Sequence, residues 1–145
     1  MWRKLVAMLT CLLAMSTMTG CNLLFRQDHR ITITQPADFA TVSSVVTVQW
    51  TAVDFTPPRD GQFAVFVDRD PMPPGATIGY FAPNDHFNIF VQSSTSLRLD
   101  SSHLVPTAGT QSAERNHHDV TVVLLDLSGA RIGETSGFTE FTVTT

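Results

Sequence analysis

Beyond residue 21 this chain of 145 residues has no cysteine and no lysine. The first absence excludes a disulfide-stapled core, because both thiols, Cys11 and Cys21, sit in the N-terminal apolar segment. The second leaves Arg26, Arg30, Arg59, Arg69, Arg98, Arg115 and Arg131 as the only strong bases downstream, seven against thirteen acids, a balance of −6. No basic run occurs, so the clustered charge that phosphate backbones demand is missing, which argues against a nucleic-acid partner. Catalytic signatures are missing as well: there is no Gly-x-Ser-x-Gly elbow, no His-Glu-x-x-His pair and no phosphate loop. No catalytic residue is assigned, no cofactor is expected, and the chain is read as a non-enzyme.

What is present begins with Met1-Trp2-Arg3-Lys4, a short positive leader, followed by an apolar stretch from Leu5 to about Met18. As a helix that stretch measures about 21 Å, short of the ~30 Å hydrocarbon core. A positive start, a short apolar region and small residues at its end make a secretory signal peptide. Its close, Met18-Thr19-Gly20-Cys21, resembles the lipobox of bacterial lipoproteins, with Met18 where the family usually carries Leu. The resemblance implies cleavage before Cys21, acylation of Cys21 and a lipid anchor on the extracytoplasmic side of the cell envelope. The alternative is a signal peptide cut elsewhere, or an uncut anchor. Residues 1–20 are thus expected to be a signal peptide, 21–30 a lipidated tether, and 31–145 one folded domain.

Within that domain the hydrophobic period is two, the strand signal. Ile31 and Ile33 alternate with Thr32 and Thr34, and Val46, Val48, Trp50 and Ala52 share one face opposite Thr47, Gln49 and Thr51. The runs from Phe63 to Asp68 and from Val120 to Leu127 are apolar on both faces, as central strands are. Phe87 to Gln92, Leu97 to Asp100 and Phe141 to Val143 complete about seven strands, separated by turn signals at Pro36 to Asp38, Pro57 to Gly61, Pro71 to Gly75, Pro83 to Asp85 and Ser128-Gly129. Helical periodicity is absent after the leader, so the fold class is all-β, a sandwich or barrel. Two connections exceed a tight hairpin, Asp70 to Phe87 and Ser101 to His117; the second, rich in Ser, Thr and Ala, reads as a mobile surface loop.

Pro36-Ala37-Asp38-Phe39-Ala40-Thr41-Val42 followed by Val46-Thr47-Val48-Gln49-Trp50 resembles the opening of bacterial immunoglobulin-like and fibronectin-type-III-like modules, with Phe39 where glycine is usual. His118 to Asp126 followed by Ser128-Gly129 is similar to their penultimate strand and last hairpin. The likeness spans most of residues 31–144 and implies an Ig-like antiparallel sandwich of the disulfide-free kind. Such modules bind, space or scaffold, and the likeness carries no catalytic residue.

Three groups of residues are candidates for function. Asp70, Pro71, Met72, Pro73 and Pro74, with Tyr80 and Phe81 beyond, form a proline-stiffened segment that suits a recognition loop, since rigid loops lose less entropy on binding. Asp68 and Asp70, at i and i+2 on one side of a strand, are candidate calcium ligands if Asp126 joins them. His117 and His118 fall on opposite strand faces and so cannot chelate one ion together; His118, in phase with Val120, Val122 and Leu124, is the candidate metal ligand of the two. The expected partners are the bilayer, through acylated Cys21, and an envelope protein or surface polymer, with a small-ligand or metal-ion lipoprotein as the alternative.

Overall fold

The computed structural model describes residues 30–81, 88–104 and 116–144, with Phe81, Glu134 and Thr135 described by their backbone alone. Cys21 and the rest of the leader and tether up to residue 29 lie outside the described residues, as do residues 82–87 and 105–115 of the two long connections.

Among the described residues eight strands form in chain order: β1 (Ile31–Gln35), β2 (Ala40–Ser43), β3 (Val46–Ala52), β4 (Gln62–Val67), β5 (Ile89–Gln92), β6 (Ser96–Leu99), β7 (His117–Leu125) and β8 (Arg131–Thr144). The seven strands legible in the sequence are all present, and β2 is additional. One helical turn, α1 (Ile78–Phe81), follows β4. β1, β3 and β6 make a three-stranded sheet, and β2, β8, β7, β4 and β5 a five-stranded one. Every pairing is antiparallel except β2 with β8, which runs parallel from Ala40↔Phe141 to Ser43↔Thr144. The first, second and fifth immunoglobulin strands correspond to β1, β3 and β6, facing a sheet built on the third, sixth and seventh, β4, β7 and β8. The protein is therefore all-β, an Ig-like sandwich.

Burial follows the period-two pattern. Along β3, Val46, Val48 and Trp50 are buried while Thr47, Gln49 and Thr51 are exposed. Between the sheets they meet Phe63, Val65 and Val67 of β4, Val120, Val122 and Leu124 of β7, and Phe141. Trp50 and Phe55 each approach Phe63 with ring centroids 5.4 Å apart, the Trp50 pair edge to face at 81°. Strands β4 and β7 are buried on both sides. Their second faces, Ala64, Phe66, Val123 and Leu125, form a separate cluster with Met72 on the outside of the five-stranded sheet.

Two glycines set close approaches. Gly61 has φ 139°, and a Cβ there would stand 1.8 Å from the Leu125 carbonyl oxygen, so only glycine lets the β3–β4 connection lie against β7. At Gly137 a Cβ would come within 2.6 Å of Ile31 Cγ2, which fixes how closely β8 packs over β1.

Several boundaries differ from those expected. Strand β7 begins at His117 and ends at Leu125, so His117 is a strand residue and Asp126 and Leu127 belong to the following turn. Strand β4 stops at Val67 because Asp68 turns left-handed, with φ 54°. Phe39 is also left-handed, with φ 58°, the conformation that glycine usually supplies at that place in related turns.

Candidate functional site

The sandwich has two chemically different ends. Arg30 enters at one, the near end, where its carbonyl accepts from Val53 N at 2.8 Å. The β3–β4 connection, the β5–β6 turn and the β7–β8 turn share this end, since Gln62 pairs with Leu125 and Phe63 with Gln92. The far end carries Asp38, Asp68 to Asp70, Asp100 and the start of β7, where Asp119 pairs with Glu140.

At the far end the left-handed turn at Asp68 aims its carboxylate back at β7. Oδ2 lies 2.8 Å from His118 Nδ1, and Oδ1 accepts from Asp119 N at 3.0 Å. The backbone closes the same loop, Asp68 N donating to Asp119 O at 2.9 Å. His118 is buried, its ring 6.0 Å from that of Phe141. His117 is on the opposite face, exposed, its Nε2 3.1 Å from Glu140 Oε2. Burial raises the Asp119 carboxyl above its ordinary value, and the neighbouring charges of Asp68, Glu140 and Asp70 push the same way. This arrangement fixes one imidazole against one carboxylate and ties β4 to β7; its chemistry is positional.

Asp126 is not brought to Asp68. It lies at the near end, seven positions along from Asp119, or about 20 Å at strand rise. Its Oδ1 accepts from Ser128 N at 2.8 Å, Ser128 Oγ at 2.6 Å and Ala130 N at 2.9 Å, which caps the β7–β8 turn and lowers the carboxyl below its ordinary value. The strand alternation that would set Asp68 and Asp70 on one side ends at Val67, and both carboxylates bear on the charge of Asp119. Among the described residues no group of three or more His, Cys, Asp or Glu side chains is placed to hold a metal ion.

The proline-stiffened segment is a strap. From Asp70 at the far end it crosses the outer face of the five-stranded sheet to Tyr80 at the near end. Met72 is 1 % exposed, seated on Ala64, Phe66, Val123 and Leu125, with Ala76 and Ile78 packed beside it. Its carbonyl accepts from Arg131 Nη1. The backbone of Arg131 continues the clamp, N donating to Ala76 O at 2.9 Å and O accepting from Gly75 N at 3.0 Å. Ile78 N then donates to Gly129 O at 2.8 Å, and Thr77 bridges Ala130. Of the residues expected to recognise a partner, Met72 is thus an internal anchor with no surface to offer, Asp70, Pro73, Pro74 and Tyr80 are exposed, Pro71 is half-buried, and Phe81 lies in α1. Phe90 faces the space between the sheets, 5.3 Å ring to ring from His103, while Ile89 packs against the strap's cluster.

Sequence reasoning passed over Arg131. A lone arginine after Ser128-Gly129-Ala130 carries no signal of its own, and its role depends on a segment 59 residues away.

No family model matches this chain, and no curated protein matches it. Among solved structures it is similar to the fibronectin(III)-like modules of Clostridium thermocellum CbhA, at 11 % identity and a TM-score of 0.42, covering 79 % of this chain and 95 % of that one.

Proposed function

We propose that this chain is a lipid-anchored, non-enzymatic binding or scaffolding module of the bacterial cell envelope, held to the membrane through acylated Cys21 on the extracytoplasmic side. The observation that carries the reading is Met18-Thr19-Gly20-Cys21, which stands only ten residues ahead of the first strand at Ile31. Acyl lipidation of one cysteine supplies two or three chains, the number that stable anchoring needs. The near end then faces the membrane and the far end is displayed, with Asp70 and the turn at Ser101 to His103 open to an envelope protein or a surface polymer. Loops carried on a rigid sandwich are where such modules recognise partners, although the fold leaves the partner's identity open.

Intact mass and membrane partition of the protein made in a bacterium, beside Cys21→Ala, test the anchor. The wild type gains acyl mass, loses residues 1–20 and sediments with membranes, and the variant does none of these. An unlipidated, soluble wild type overturns the reading. Photo-cross-linkers at Asp70 and Ser102 are expected to capture an envelope component that one at Thr51, on the side of the domain, does not; capture equal at all three positions counts against the displayed end.

A further inference from the structure

Seven large apolar side chains are exposed among the described residues, and three of them, Val53, Tyr80 and Leu127, ring the near end. Val53 is 58 % exposed and adjoins Arg30, where the chain enters the domain. Leu127, 78 % exposed, tips the β7–β8 turn. Tyr80, 81 % exposed, lies just beyond the point where Ile78 is bonded to Gly129 of that turn. Each is therefore carried by a different connection that folds to the same end. None is needed to fill the core, which Ala52, Phe55 and Leu125 already close beneath them.

Charge is distributed to match. Among the described residues the near end carries Arg30 and Arg59 against Asp54, Asp60 and Asp126, while Arg131 is buried against the strap. Two of these acids are held internally: Arg59 donates to Asp60 at 2.8 and 2.9 Å, and Asp126 caps its turn. The far end holds Asp38, Asp68, Asp70, Asp100, Asp119 and Glu140 against Arg69 and Arg98. The exposed apolar groups there are Phe39, whose N–H donates to the Glu140 backbone carbonyl, and Val45. An end with three apolar tips and few acids, two of them held internally, loses less on meeting a headgroup layer than the acidic end, which anionic lipid repels.

Resting on the anchor reading above, we infer that the near end is a membrane-docking surface: Val53, Tyr80 and Leu127 enter the headgroup region of the bilayer that holds Cys21. The nine residue steps from Cys21 to Arg30 span at most about 30 Å when extended, so the anchor keeps this end beside the lipid. Tyrosine, with an apolar ring and a polar tip, suits the interface, and leucine and valine add apolar area beside it. Docking holds the sandwich upright and turns the far end outward.

The full-length lipoprotein is purified with its acyl chains and reconstituted in vesicles of equal parts phosphatidylcholine and phosphatidylglycerol. A polarity-sensitive fluorophore is placed in turn through Leu127→Cys and, as the far-end control, Val45→Cys. The position 127 probe shifts to the blue on reconstitution and is quenched by lipids that carry a nitroxide on the acyl chain; the position 45 probe does neither. In the background of Val53→Ser with Tyr80→Ser the position 127 probe loses its shift while the protein stays on the vesicles. An acylated, vesicle-bound protein whose position 127 probe remains in water overturns docking and leaves the anchor standing. A blue shift without nitroxide quenching, growing with protein density, assigns this end to a second copy of the chain and overturns docking too. Absence of acyl mass on Cys21 removes the anchor and the docking with it.

Discussion

The two outer faces of this sandwich are built from the same kind of strand and end in opposite chemistry. On the three-stranded sheet the outward positions are Thr32, Thr47, Gln49, Thr51, Ser96 and Arg98, paired across the strands as Thr32↔Thr51, Thr47↔Arg98 and Gln49↔Ser96. Every one is polar and exposed. On the central strands β4 and β7 of the five-stranded sheet the corresponding positions are Ala64, Phe66, Thr121, Val123 and Leu125, all buried, while Val91 and Phe138 on the flanking strands β5 and β8 stay exposed. A polar face is finished when it meets water, but an apolar one must be covered, and here a strap without a strand of its own covers it. The proline-rich segment that reads as a recognition loop is therefore part of the domain's packing, held at Met72 and at Arg131.

Removing side chains from the two faces is expected to give very different costs. Phe66→Ala takes away a fully buried ring that supports Met72 and Ile89, and a loss of about 3–5 kcal/mol is expected in denaturant unfolding. Met72→Ala is expected to lose less, about 2–3 kcal/mol, because the strap can settle partly into the space. That variant also exposes the sheet's outer face, so it gains binding of a hydrophobic dye and faster protease cleavage between Asp70 and Tyr80. Stability unchanged on Met72→Ala, with no new cleavage, shows that the strap is an ornament of the sheet and not its cover.

The asymmetry was half legible in the sequence. The runs from Phe63 to Asp68 and from Val120 to Leu127 are apolar on both faces, which announces strands with two faces to hide, and the alternation in Val46 to Ala52 announces a face in water. What hides the second face is not encoded as a pattern, because one methionine between prolines has no period. In β8 only Phe141 and Val143 show the alternation, since its earlier inward positions hold Gly137 and Thr139 while Phe138 points out. That inversion follows from the closeness of Ile31, which leaves room for no side chain at Gly137. Strand β2 is four residues long, too short to show alternation, and pairs in parallel with a strand about a hundred positions away. At the far end the opposed faces of His117 and His118 were readable from strand geometry. The bond from Asp68 to His118 was not, because it depends on a left-handed turn at an aspartate.

Arg131 offers a sharper cut, since it touches the strap without filling the sheet's apolar surface. Arg131→Met keeps a long apolar stem but removes the donor to the Met72 carbonyl, and a loss of about 1–2 kcal/mol is expected in the same assay. Protection of the Gly75 and Ala76 region against hydrogen exchange is expected to fall with it, while β3 keeps its protection. Equal loosening of β3 and the strap overturns the view that the clamp is local.

The β7–β8 turn, where the strap is bonded at Ile78, adds a pH dependence. The Asp126 carboxyl is held below its ordinary value by the Ser128 hydroxyl and by the Ala130 and Ser128 amides. A carboxyl depressed on folding stabilises the fold above its unfolded value, near 4, and that contribution is lost as pH falls through the folded value. Asp126→Asn therefore flattens the fall in melting temperature below about pH 4. Asp119 has the opposite sign: raised on folding, it favours the fold at low pH and loses that contribution as pH climbs through its folded value. Asp119→Asn is expected to raise the melting temperature at neutral pH and leave it unchanged in acid. Identical acid limbs for wild type and Asp126→Asn remove the turn from the account.

The smallest effects belong to the polar sheet. Thr51→Ala removes a hydroxyl and a methyl group from a position open to water and paired only with Thr32, so a change within about 0.5 kcal/mol is expected. Thr47→Ala beside Arg98 is expected to behave alike. A mutated pair leaves nothing unsatisfied, because water takes over the bonds that the hydroxyls made. If either change instead costs more than the Arg131 substitution, this face is covered in the native protein as the other one is. The cover then has to come from outside the described residues or from a partner, and the contrast between the two sheets is one of what covers them.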